Sequence, residues 1–416
     1  MTISRLLSVL GLIVAVSADG SKDECGVPPP VNEDNLVTWL RDVFHVTRSP
    51  LDETNKKEVR RFITEQFGNI SAAVEKAAVE VQRFSVSGQS PIEGVNIIYV
   101  LPGCEWGSER DNVLVVTANY DTTTSVTPDD NGSGMVALLE TARILSSRAE
   151  HCTPGTTVIF VAVDQLPGEI GFTTFGTEYL IRKVLRKYNI PPRHFRGTVI
   201  LKGLMNFDPA ENSQHIPPAV YMLAPEPANA IAAKGCRGDF LAAVSLSSNG
   251  VGEVATLYHE HWATETAKLA TSGRPLLYNF ELSETLGLIE PFKENVEEFT
   301  HAGVFTFWTR LSNYTADNFN IVVLTDTVQM RGYMRRCHQK LCDNLEMALK
   351  PSNIELLRVT TTTLVRYLAE VSWRENVVTD PPSLADLCPV RGMPADVIQI
   401  HLHWLTCVLF AACLLT

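Results

Sequence analysis

What this sequence lacks narrows its function first. Its 35 Lys and Arg are outnumbered by 47 Asp and Glu, a formal charge of −12 over 416 residues. No cluster of basic residues forms the cationic face that a phosphate backbone requires, so nucleic acid is excluded as a partner. Internal repeats and low-complexity tracts are absent, which leaves no sign of a repeat array. No Lys or Arg follows the apolar run that ends the chain, where a membrane span usually finishes on a basic cytoplasmic stop. What is present is 45% hydrophobic residues, enough to fill one large core or two small ones.

Both ends speak to location. Residues 1–18 begin with Arg5, continue with an apolar run from Leu6 to Val16 and finish on small residues at Ser17 and Ala18, the layout of a cleaved secretory signal. A first transmembrane helix is the alternative, and it would need about 20 apolar residues. Residues 397–416 are apolar apart from Gln399, His401, His403 and Thr406. With small residues at Gly392 and Ala395 before them, they fit a GPI-attachment signal. A terminal transmembrane helix or a buried amphipathic helix are the other readings. The first two anchor the protein to the extracellular face of the plasma membrane.

Cysteine usage suits an oxidising compartment. Of nine cysteines, Cys407 and Cys413 lie in the terminal run, leaving Cys25, Cys104, Cys152, Cys236, Cys337, Cys342 and Cys388. Seven is odd, so at least one is free or pairs between chains. Cys104 and Cys152 are disulfide candidates. Sequons at Asn69 and Asn313 are glycan sites by pattern; a third, at Asn131, sits within a carboxylate-rich turn and is a poorer one.

Between the ends, residues 33–85 carry helical spacing, as in Leu36, Leu40, Val43 and Phe44 and again in Val59, Phe62, Ile63 and Phe67. Strands are then expected at Asn96–Leu101, Val113–Ala118, Thr157–Val163, Gly197–Phe207 and Val304–Trp308. Helices are expected at about 133–145, 177–187, 261–270 and 353–372. This alternation predicts an α/β fold, a mixed, mainly parallel central sheet with helices on both faces. One domain is expected over residues 30–375, then a proline-bearing stalk at 376–396 and the anchor signal at 397–416.

In such sheets ligands bind beyond the carboxyl ends of the strands, and acids cluster there: Asp121, Asp129 and Asp130 after one strand, Glu169 after another, Asp208 after a third. Singly, Asp129 or Asp130 could cap the helix that follows and Asp208 could be a loop acid. Together, converging carboxylates repel one another, and a divalent cation would relieve the repulsion.

The stretch VLVVTANYDTTTSVTPDDNGSGMVALLETARIL, residues 113–145, resembles the zinc exopeptidase family of leucine-type aminopeptidases, glutamate carboxypeptidases and glutaminyl cyclases. The resemblance runs from about Asn96 to the helix near 370. It implies zinc as cofactor and the zinc-exopeptidase fold. It also implies metal-binding roles for Asp129, as the bridging carboxylate, for Glu169 and for Asp208, with Asp121 as the orienting acid. Two departures stand out. Asn119 replaces the family's ligand His, and Gly168 replaces its general-base Glu. The element Cys337-His338-Gln339-Lys340-Leu341-Cys342-Asp343 resembles the family's Cys-Tyr-His-x-x-Cys-Asp, implying a Cys337–Cys342 disulfide. Either His338 or Gln339 takes the place of the last ligand, depending on which residue anchors the alignment.

Two-metal hydrolysis needs a cation pair and a base, so these departures imply an impaired or inactive enzyme with one zinc or none, acting by binding peptide or protein termini. The alternative is a working zinc enzyme, an aminopeptidase or carboxypeptidase, or a single-zinc cyclase using Asp129, Glu169 and His338.

Overall fold

The computed structural model describes residues 28–49, 53–86, 92–122, 128–165, 175–181, 190, 194–246, 251–271, 273–282, 295–296, 299–300, 321–335 and 342–373. The segments expected to be a secretory signal, a stalk and an anchor signal, the strand expected at Val304–Trp308, Gly168, Glu169, Asn313, Cys337 and His338 therefore lie outside the described residues. Among those described, no helix is long and apolar enough to cross a membrane.

The chain opens with helices α1 (Glu33–Asp42) and α2 (Glu53–Ser71). Asn32 starts α1 by accepting a hydrogen bond from the Asp34 amide, and Glu33 and Asp34 place negative charge at the positive end of the helix dipole. Among the described residues eight strands follow: β1 (Ala78–Val86), β2 (Ile92–Leu101), β3 (Asn112–Asn119), β4 (Thr156–Val163), β5 (Phe195–Lys202), β6 (Phe240–Leu246), β7 (Leu276–Leu282) and β8 (Ile321–Thr325). They form one sheet in the order β1-β2-β4-β3-β5-β8-β6-β7. The four central strands, β4, β3, β5 and β8, run parallel, while β1, β2 and the β6–β8 pairing add antiparallel edges. The expected mixed α/β sheet is thus observed.

Alternation along each central strand feeds two cores. Leu114, Val116 and Ala118 of β3, with Val158, Phe160 and Ala162 of β4, pack beneath α1, α2, α3 (Gly134–Ala149) and the long closing helix Pro351–Trp373. Val113 and Val115, with Ile159, Val161 and Val163, face the opposite way into a second core, which also takes in residues of the helices Pro218–Leu223 and Pro225–Ala233. Residues one apart point to opposite faces of a sheet, so a continuous apolar run is what burial on both faces demands.

Several boundaries differ from expectation. Residues 78–86 form edge strand β1 and are not helical; their alternating exposure suits a strand covered on one face. β6, β7 and β8 were not expected. The helix forecast at 261–270 begins earlier, at Val251, and ends at Thr266. Most consequential for the site, β5 stops at Lys202 and does not reach Phe207. Gly203 turns the chain out of the sheet in the left-handed region, at φ +58°, where a side chain would be strained. Cys104, Cys152 and Cys342 are disulfide-bonded, and Cys236 is a free thiol.

Candidate functional site

Because β4, β3, β5 and β8 are parallel neighbours, their carboxyl ends share one edge, and each delivers a polar group there. β4 delivers Asp164, β3 delivers Asn119 and Asp121, β5 delivers Lys202, and β8 delivers Asp326. The turn Pro128–Ser133, entirely buried, lays Asp129, Asp130 and Asn131 over that edge. Asn131 ties the turn down, its amide nitrogen donating to Leu201 O at 2.8 Å and Asn119 Oδ1 at 3.1 Å, its oxygen accepting from the Gly203 amide at 3.0 Å. With its nitrogen so engaged, Asn131 has no room for a glycan; Asn69, by contrast, is exposed near the end of α2.

The Lys202 ammonium is the central cation. It lies 2.5 Å from Asp130 Oδ1 and 3.2 Å from Asn119 Oδ1, and all three side chains are buried. Strand register explains the meeting. Ala118 pairs with Leu201 across β3 and β5, so the next residues, Asn119 and Lys202, end their strands side by side. The Asn119 amide nitrogen donates to Asp121 O at 3.1 Å, which turns its oxygen toward the ammonium. Asp121 Oδ1 accepts the Gln165 amide at 3.1 Å.

Asp129 sits one step further in. Its Oδ1 accepts from Ser133 Oγ at 2.9 Å and the Leu204 amide at 3.2 Å, and its carboxyl lies within the field of that of Asp326. Burial first, then the fields of Asp326 and Asp343, push the Asp129 carboxyl well above the ordinary carboxylate range. Asp326 accepts the amides of Met205, Asn206 and Val328 at 2.9, 2.7 and 2.7 Å. Asp343 accepts the amides of Asp129 and Asp130, both at 3.0 Å, pinning the turn from the far side of the chain.

Two more buried cations complete the balance. Arg48 donates Nε to Tyr120 O at 2.6 Å. Burial lowers its pKa to about 10 against the opposing pull of Asp343, Asp121 and Asp130. Arg331 donates to Gln214 Oε1 at 2.7 Å and stacks over the Phe240 ring at 4.1 Å. Burial lowers it likewise to about 10, against Asp326, Asp239, Asp129 and Asp208. Both stay charged at neutral pH.

The residues named from the sequence separate accordingly. Asp121 and Asp129 reach the edge. Asp208 is not a β5 terminus: it lies in an isolated bridge to Gly238, and its carboxylate caps its own turn by accepting the Ala210 amide at 3.0 Å. Glu169 and His338 are outside the described residues, and no group of three or more His, Cys, Asp or Glu among those described could hold a metal ion. Asp164, at the end of β4, is committed to Lys56 at 2.7 Å, Arg60 at 2.8 Å and the Val95 amide at 3.1 Å, leaving it poorly placed to accept a substrate proton. Lys202 and Asp326 were missed. A charged residue inside the run Val199-Ile200-Leu201-Lys202-Gly203, and an acid just after Ile321-Val322-Val323-Leu324-Thr325, were the available signals.

Zinc does not fit the described part of this arrangement. Structural and catalytic zinc sites use imidazole, thiolate or carboxylate donors. Here Asp130 Oδ1 is already held by an ammonium, and Asn119 offers an amide oxygen to the same ammonium. A dication bound to Asp130 would lie beside a buried positive charge, where repulsion is weakly screened.

Comparison with known proteins agrees with the motif. The profile of Peptidase family M28 matches residues 96–165. No curated protein matches the chain. Among solved structures, Macrostomum lignano glutaminyl cyclase superposes with a TM-score of 0.53 at 13% identity, over 85% of this chain and 98% of that one. A leucine aminopeptidase precursor from Bacteroides thetaiotaomicron gives 0.49 at 13% identity over 84% and 99%. The LapA aminopeptidase of Legionella pneumophila gives 0.49 at 11% over 83% and 72%. The chain shares its fold with the glutaminyl cyclase of Macrostomum lignano, and the Peptidase family M28 match falls on the stretch that carries the sequence motif.

Proposed function

We propose that this is an extracellular, membrane-anchored, zinc-exopeptidase-like protein that binds peptide or protein termini without hydrolysing them. The observation that carries the reading is the Lys202 ammonium between Asp130 and Asn119. Hydrolysis by this fold needs a cation able to polarise a carbonyl and acidify water. An ammonium, with no vacant orbital, is not a Lewis acid, and this one is held by two protein oxygens. Asp164 does not repair the missing base at Gly168, because its oxygens are occupied by Lys56, Arg60 and the Val95 amide. The secretory signal, the terminal apolar run and the disulfide-bonded Cys104, Cys152 and Cys342 support a place outside the cell.

The test is elemental mass spectrometry on the full-length chain, followed by incubation with a panel of unblocked peptides and N-terminal glutaminyl peptides, with and without added zinc. The expected result is no stoichiometric zinc and peptides of unchanged mass. One or two zincs per chain that vanish in Asp129→Ala, together with turnover, would overturn it.

A further inference from the structure

Resting on that reading, we infer that Lys202 is the resident counter-ion of the carboxylate edge: its ammonium takes the place of a dissociable metal, so the natural chain neither needs nor admits a divalent cation beside Asp130. The argument begins with charge. Asp121, Asp129, Asp130, Asp326 and Asp343 are each no more than 5% exposed, and carboxylates so buried are tolerated only when paired or protonated. Asp129 accepts from the Ser133 hydroxyl and the Leu204 amide, Asp326 from the amides of Met205, Asn206 and Val328, and Asp343 from two amides within the field of Arg48. Asp130 has the shortest ionic contact at this edge, and its partner is Lys202.

Geometry makes the same point. A lysine at the end of β5 reaches Asp130 only because the chain leaves the sheet at Gly203, which brings the turn Pro128–Ser133 down onto the strand ends through Asn131. Asn119 completes the cradle with an oxygen that can accept from an ammonium, whereas a protonated imidazole there could not. The replacement of a ligand His by Asn119 and the presence of Lys202 are therefore one compensated change. Asn119 Oδ1, Asp130 Oδ1 and the Asp129 Oδ2 atom, which is buried and lacks a hydrogen-bond partner among the described residues, are oxygens that a dication could use once the ammonium is gone.

The test compares thermal unfolding of the full-length chain and its variants in chelator, and with zinc or manganese chloride. The natural chain is expected to melt at one temperature in all three. Lys202→Ala removes the ammonium from Asp130 and is expected to melt about 5 °C lower in chelator and to recover part of that loss with either metal, with bound metal measurable on the recovered protein. The double variant Lys202→Met, Asp130→Asn removes both charges and is expected to melt above Lys202→Ala in chelator and to ignore metal. A Lys202→Ala protein that melts with the natural chain, or that metal leaves unmoved, overturns the inference even when the natural chain proves metal-free and inactive. Failure of the double variant to fold overturns it too, since a replaceable ion pair tolerates neutral substitution. Zinc in the natural chain refutes the functional reading instead.

Discussion

Changing Asp164 to Asn is expected to lower stability by about 3–5 kcal/mol, because it removes the countercharge from a fully buried lysine. Asp164 and Lys56 are both 0% exposed and 2.7 Å apart, and Arg60 reaches the other carboxylate oxygen at 2.8 Å. Asparagine has nearly the same shape, so packing hardly changes and the loss reports charge. Lys56→Met is expected to cost less, about 2 kcal/mol for one charge-assisted hydrogen bond, since Asp164 keeps Arg60 and the Val95 amide. The double variant, with both charges gone, is expected to be more stable than Asp164→Asn alone. Urea unfolding followed by tryptophan fluorescence gives the three differences. An Asp164→Asn cost under about 1 kcal/mol, or one no greater than that of Lys56→Met, would refute the view that this acid is held as a structural anchor. It would reopen Asp164 as a candidate proton acceptor.

Two further outcomes follow from buried groups. Asp111 has its pKa raised to about 6, chiefly by burial, with the Thr157 hydroxyl pulling the other way. A raised carboxyl favours the protonated form in the folded state, so its stabilisation is complete below the ordinary value of 3.8 and is lost as pH rises through about 6. Melting profiles across that window should fall less steeply for Asp111→Asn than for the natural chain, by up to about 3 kcal/mol. At Gly176 an added Cβ would lie 1.8 Å from the Asp164 carbonyl oxygen. Gly176→Ala is therefore expected to cost about 3 kcal/mol or more in the same urea assay, and a neutral result would contradict the packing of the start of helix Phe175–Leu180 on the end of β4.

Much of the architecture was legible locally. The apolar runs at Val113–Ala118 and Thr157–Val163 became β3 and β4 within a residue, because a strand buried on both faces leaves no polar position to blur its ends. The strand Ala78–Val86 was hidden by its mixed polarity, the natural pattern for an edge strand with one face toward solvent. Asp326 was hidden because β8 is five residues long, too short for periodicity to distinguish from a loop. Asp208 was misplaced for one reason: a strand drawn through Gly203 carries every later residue to the wrong position.

The sequence by itself determined that acids would gather at the carboxyl ends of a largely parallel sheet, and its resemblance to the zinc exopeptidases implies that Asn119 and Gly168 stand where that family carries other residues. Both are statements about residue type and local order, which a linear string contains. Only the tertiary structure decided what neutralises those acids. Lys202 meets Asp130 and Asn119 because β5 lies beside β3 in a particular register and the turn Pro128–Ser133 folds across both. Strand order and register are set by long-range packing, and no local pattern in the sequence encodes them.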